Sequence, residues 1–185
     1  PILQLGRIEQ PVIKCETAQL EIGFFPNQKA APVAGKLLIN GGELFLPRTY
    51  SGSGQRLTLL ENVTARASLN RNEFTLESFA ATHRELRVRG SARMPSTPLQ
   101  SKERPDIDHL THQFFTTANR ILEKTSAIEG LKSPTLSFLI ERDLNRALLV
   151  DARLTSPEFN RPEMQARDLS LQTSLFMSSY TSTSE

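Results

Sequence analysis

Two histidines, His109 and His112, stand three residues apart in "DIDHLTHQ", with Asp106 and Asp108 beside them. Imidazoles at that spacing share one face of a helix and could take a zinc ion with a third ligand. The glutamate of an H-E-x-x-H motif is missing, and the one cysteine, Cys15, is distant in sequence. Acidic residues in a first helical turn already have a structural reason, because they face the positive end of the helix dipole. His109 and His112 are therefore weak metal candidates, and a solvated first turn is the preferred reading. A second set is basic. Arg87, Arg89 and Arg93, with Arg84 close by, form a row able to meet phosphate groups. The simpler reading of that row is the water face of a strand. If phosphate is bound, a lipid headgroup fits better than nucleic acid, because the aromatic residues that stack on bases make up only 6% of the chain, with no Trp.

The remaining motifs argue against catalysis. Asn40-Gly41-Gly42 lacks the Lys-Ser/Thr and the following helix of a phosphate-binding loop, so it reads as a turn or a glycine-permitted bulge. Cys15 has no paired histidine in its strand-like run, and a single cysteine excludes an internal disulfide and any multi-cysteine metal site. His83 lies alone in a turn, and the sequon Asn62-Val63-Thr64 matters only in a eukaryotic secretory setting. No Ser-His-Asp set and no pair of carboxylates stands out. The expectation is a non-enzyme without a cofactor.

Most of the chain alternates with period two, the pattern of half-buried strands. In "ELRVRGSARM", Leu86, Val88, Gly90, Ala92 and Met94 fall on one face and the arginines on the other. In "LTLLENVTARASL", Leu57, Leu59, Val63, Ala65, Ala67 and Leu69 share a phase broken by Glu61. "FTLESFAA" follows, with Phe74 and Leu76 together, so 57–69, 73–82 and 85–94 predict an antiparallel meander. Upstream, "ILQLGRIEQPVIKCE" is interrupted by Pro11, giving an edge strand or two short strands at a kink. "PNQKAAPVA" (26–34) is a loop by composition, and "PSTPLQSKERP" (95–105) is a proline-bracketed linker.

After that linker the period changes. Ile107, Leu110, Phe114, Ala118, Ile121 and Ile128 step by three, four and seven, which predicts one amphipathic helix over 106–130 ended by Gly130. Beyond it, Leu136, Phe138 and Ile140, then Leu148, Val150, Ala152 and Leu154, predict a hairpin turning near Asp143-Leu144-Asn145. A last strand, "MQARDLSLQTSLFM", slips phase near Arg167-Asp168, which predicts a bulge. The tail 178–185 is polar and simple, as a frayed end would be.

The totals bound the partners. Lys+Arg 22 against Asp+Glu 20 leaves +2 over 185 residues, too balanced to argue for nucleic acid or an anionic membrane. No apolar run approaches the roughly 18 residues of a membrane span. The start at Pro1 suggests a piece of a longer protein, with any anchor outside it.

In order, these segments resemble the AsmA-like proteins of the bacterial envelope, a wider group that includes TamB-like repeating β-groove proteins. "RIEQPVIKCE" resembles that family's "I-x-x-P-x-I" strand, and a variable loop follows at 16–34. "KLLINGGELFLP" resembles "L-x-I-x-x-G-x-L-x-L" through Ile39, Gly42, Leu44 and Leu46. Leu57, Leu59, Asn62, Val63 and Ala65 match "L-x-L-x-x-N-V-x-A", and Leu86, Val88, Gly90 and Ala92 match "L-x-V-x-G-x-A". The likeness covers 1–94, and 133–177 more loosely as a second unit; the helix is an addition to the repeat.

The expected fold is mainly β, of the α+β class: a curved antiparallel sheet or open groove with one long amphipathic helix at about 106–130. The first β unit is 1–94, the linker 95–105, and the second β unit 133–177, packed on the first. The resemblance implies a periplasmic, membrane-anchored parent protein that moves phospholipid or maintains the outer membrane. Its partners would be acyl chains and neighbouring β units of that parent. Groove candidates are Leu37, Ile39, Leu44, Leu46, Leu86, Val88, Leu148 and Val150; headgroup candidates are Arg87, Arg89 and Arg93. The alternative is an interaction or assembly domain that acts through edge strands without lipid.

Overall fold

The computed structural model describes residues 3–7, 10–24, 33–46, 57–70, 73–95, 107–142 and 148–177. Within these, side chains at 3–12, 24, 33, 46, 57, 107–115, 148 and 177 fall outside the description. Asp106, the linker, the hairpin turn at 143–145 and the tail also lie outside the described residues.

Among the described residues there are ten strands: β1 (Leu3–Arg7), β2 (Gln10–Phe24), β3 (Val33–Leu46), β4 (Leu57–Asn70), β5 (Glu73–His83), β6 (Leu86–Pro95), β7 (Leu131–Lys132), β8 (Thr135–Arg142), β9 (Leu148–Arg161) and β10 (Met164–Met177). One helix, α1 (Ile107–Ser126), separates β6 from β7. All the strands belong to one open sheet, ordered β1-β2-β3-β4-β5-β6-β8-β9-β10, with the two-residue β7 paired to β9.

Neighbours pair antiparallel except β6 and β8, which run parallel from Arg87↔Thr135 to Arg93↔Glu141. The expectation of a purely antiparallel sheet is corrected at this one place. Its cause is α1: a helix between two strands carries the chain back to the end where it began, so the next strand enters in the same direction. The two β units thus meet edge to edge through a hydrogen-bonded strand pair.

Proline and positive-φ residues mark where the ladder is interrupted. Pro11 sits near the start of β2, opposite Gly6, where the register with β1 shifts. The structure has two strands here, β1 at the sheet edge and the fifteen-residue β2, but Pro11 lies inside β2 rather than at a kink between two short strands. Asn40-Gly41-Gly42 lies inside the continuous strand β3 rather than at a hairpin tip, with Gly41 at φ +64°. A Cβ on Gly41 would come 2.8 Å from the Glu16 Oε2 of β2. Glycine takes that φ without the Cβ penalty that most residues meet there. Asn62, at φ +52°, leaves Glu61 and Asn62 both exposed, and the alternation restarts at Val63. The single phase expected across 57–69 is corrected accordingly: Leu60, like Leu59, is buried, because an extra residue flips the pleat. The bulge expected near Arg167-Asp168 is corrected: Asp168 has φ +53°, but β9 and β10 each leave one residue unpaired, Pro157 and Asp168, so the register is unchanged from Met164↔Arg161 to Met177↔Leu148. The β9 ladder skips at that level, between Glu158 and Ser156, where Pro157 has no N–H to give.

A third correction concerns 16–34. Residues 16–24 continue β2, and β3 begins at Val33, because "TAQLEI" alternates and its backbone groups are satisfied by β3 from Thr17↔Asn40 to Phe24↔Val33. Arg84 and Glu85 form the two-residue turn between β5 and β6, with Arg84 at φ +54°.

The closed core gathers Leu59, Leu60 and Val63 of β4, Ala81 of β5, Leu86 and Val88 of β6, Leu154 of β9 and Leu122 of α1. Leu44, Phe79, Leu131, Leu136 and Phe138 pack against it. The last turns of α1 therefore cover one end of one sheet face.

Candidate functional site

Directly paired residues in a sheet share a face, and alternate residues along a strand share it too. Following the register across the sheet therefore traces rows of side chains. One row reads Leu20–Leu37–Ala67–Leu76–Ala92–Ile140–Val150–Leu175, crossing eight strands without a polar residue. The next row towards the strand ends reads Ile22–Gly35–Leu69–Phe74–Met94. On the other side of the first row comes Ala18–Ile39–Ala65–Phe79–Gly90–Phe138–Ala152–Thr173. In its middle the rings of Phe79 and Phe138 lie 5.9 Å apart, and Phe138 covers the space above Gly90.

The opposite face is built from the residues between these. Its row Glu21–Lys36–Ser68–Thr75–Arg93–Glu141–Leu149–Phe176 is offset by one residue from the all-apolar row. The sheet is thus sided, with a continuous apolar face and an opposite face that is polar and of mixed charge from β2 to β8 and apolar at Leu149 and Phe176. The apolar face is closed at the end where Leu122 of α1 packs and open farther along. Leu20 is 62% exposed and Leu175 53%, and Ile22, Leu69 and Leu171 are exposed as well.

α1 is tied down beside its closed end. His83 is buried, and its Nδ1 lies 2.8 Å from the Leu59 carbonyl oxygen. A carbonyl only accepts, so Nδ1 carries the proton. Its Nε2 faces Glu123 Oε1 of α1 at 3.7 Å, and Arg84 reaches the same carboxylate at 3.0 Å. Ser156, also buried, holds β7 to β9 through its hydroxyl: it accepts from Lys132 N at 3.1 Å and lies 2.8 Å from Lys132 O.

The expected groove residues divide between closed and open ground. Leu86 is fully buried and Val88 nearly so, both beneath Leu122, and Ile39 is also buried. Leu37, Leu44 and Val150 are half-buried on the apolar face. Leu46 pairs with Leu57, and Leu148 with Arg142 and Met177, at positions whose side chains lie outside the description. Arg87, Arg89 and Arg93 stand on the polar face, across the sheet from these leucines. Arg87 donates to the Ser133 carbonyl at 3.1 Å, and Arg93 is ion-paired with Glu73. That carboxylate, by hydrogen bond and then by charge, holds the Arg93 guanidinium above its ordinary pKa. His109 and His112 lie one turn apart on α1. Among the described residues no cluster of three or more His, Cys, Asp or Glu could hold a metal ion.

Sequence reasoning missed Leu20, Ile22, Leu171 and Leu175 as site residues. The signal was present in the alternation of "AQLEI" and "LSLQTSL". Comparison with protein families, characterised proteins and solved structures found no match for this chain.

Proposed function

We propose that this chain is a non-catalytic segment of a bacterial envelope protein whose sheet is a curved, open groove that carries phospholipid acyl chains. The observation that carries this reading is the eight-strand row from Leu20 to Leu175, apolar throughout and solvent-accessible at both ends. Ala67 and Ala92 in the middle of this strip are buried, and large apolar side chains left exposed at its margins suit a surface that takes an apolar partner. An acyl chain laid in an apolar trough gains about 0.8 kcal/mol per buried methylene. Rows of similar apolar side chains offer sites of nearly equal depth, which lets a chain slide rather than lodge. The polar face keeps the opposite side of the sheet wetted, and Arg87, Arg89 and Arg93 serve there; a headgroup is then left at the open rim rather than drawn across the sheet. The order of motifs resembling AsmA-like proteins supports placing it in the periplasm, as part of a longer anchored chain that maintains the outer membrane.

Native mass spectrometry of protein purified without detergent tests the proposal. Phospholipid should co-purify with the wild type and be lost from Leu20→Asp/Leu175→Asp. Because both leucines are exposed, the circular-dichroism spectrum should stay that of the wild type. A wild type free of phospholipid, or a double variant that keeps it, would overturn the groove.

A further inference from the structure

β10 ends the sheet, and no described strand pairs with its outer edge. Natural edge strands are guarded by charges, prolines, bulges or shortness. β10 has one such guard, the charged pair Arg167-Asp168 near its start. Beyond it, "LSLQTSLFM" (169–177) runs for nine residues with neither a charge nor a proline. Leu171 and Leu175 are more than half exposed on the apolar face, and Phe176 is 67% exposed on the other. This is a long edge with unpaired backbone groups and uncovered apolar side chains on both faces, which suits it to accept another strand.

The pattern of the stretch identifies the occupant. Laid antiparallel against a second copy of itself with Thr173 opposite Thr173, the stretch sets Leu171 opposite Leu175 twice and Gln172 opposite Ser174 twice. Leu169 meets Met177, so four of the five kinds of pair match in polarity and Ser170 opposite Phe176 does not; no charge meets a charge, and Arg167 and Asp168 fall outside the paired residues. A two-fold axis through Thr173, perpendicular to the sheet, leaves both apolar faces on the same side. From these relations we infer that residues 169–177 of β10 are a homotypic strand-addition surface and that two copies join there into one continuous sheet. A single strand pair buries less than the roughly 1,200 Å² of a standard interface, so the dimer is a weak, concentration-dependent one.

The inference stands apart from lipid binding and is tested by register. Sedimentation velocity over a concentration series should show a monomer–dimer equilibrium for the wild type. Thr173→Lys sets two ammonium groups face to face and should raise the dissociation constant roughly tenfold or more. Under mild oxidation Thr173→Cys should give a disulfide-linked dimer, whereas Gln172→Cys and the wild type, whose Cys15 is buried, should not. A wild type that stays monomeric at every concentration would overturn the interface. So would a Thr173→Lys variant that dimerises as before, or cross-linking as efficient at 172 as at 173. Thr173→Lys should retain co-purified phospholipid, so failure of the dimer and failure of the groove are read separately.

Discussion

At Gly90 the ring of Phe138 occupies the space that a Cβ would need. β6 and β8 run parallel with Gly90 opposite Phe138, so the large side chain leans over the missing one. That ring also meets Phe79 and packs against the core. Gly90→Ala should therefore displace Phe138 and cost about 1–3 kcal/mol of stability, the range for overpacking. Urea unfolding would measure it, and an unchanged midpoint would show that the ring has room to move. Gly41 is constrained differently, by its positive φ beside Glu16. The sequence marks both as glycines without saying which constraint each one meets.

α1 works as a lid on one end of a face rather than as a second layer. Leu122 is its contribution to the closed core, while Ile121 beside it is 48% exposed. The ion pair of Arg84 with Glu123 is exposed and worth little by itself; the buried leucine holds the element. Leu122→Ala should cost about 2–5 kcal/mol, as large-to-small changes in a core do. Ile121→Ala should cost much less in the same denaturation experiment. Equal losses for the two would mean that α1 sits otherwise on the sheet. The period of three and four over 107–128 sufficed to find this helix, but it ends at Ser126 rather than at Gly130, and the residue it buries is Leu122, not Ile121 of the expected stripe. What it covers depends on the parallel entry of β8, which no local pattern encodes.

Across the molecule the sheet has a closed middle and open margins. Core residues come from β4, β5, β6, β9 and α1, whereas β1 and β10 each have one neighbouring strand. Native-state hydrogen exchange should follow that division. Amides of β5 and β6 are expected to be slowest, and those of β10 faster by orders of magnitude. Uniform protection across the sheet would contradict it.

Period-two alternation was enough to read the meander β4–β6 and the antiparallel pair β8–β9, because a pleat with one wet side writes itself into every second residue. That same alternation is silent about strand order, since any two sided strands can pair. It is equally silent about depth, since Val88 and Val150 look alike in sequence, yet one lies under Leu122 and the other is half open. Local chemistry along the chain determined which residues share a face. Only the tertiary structure decided that these faces line up through eight strands and where α1 closes them, because those relations arise from contacts between residues far apart in the chain.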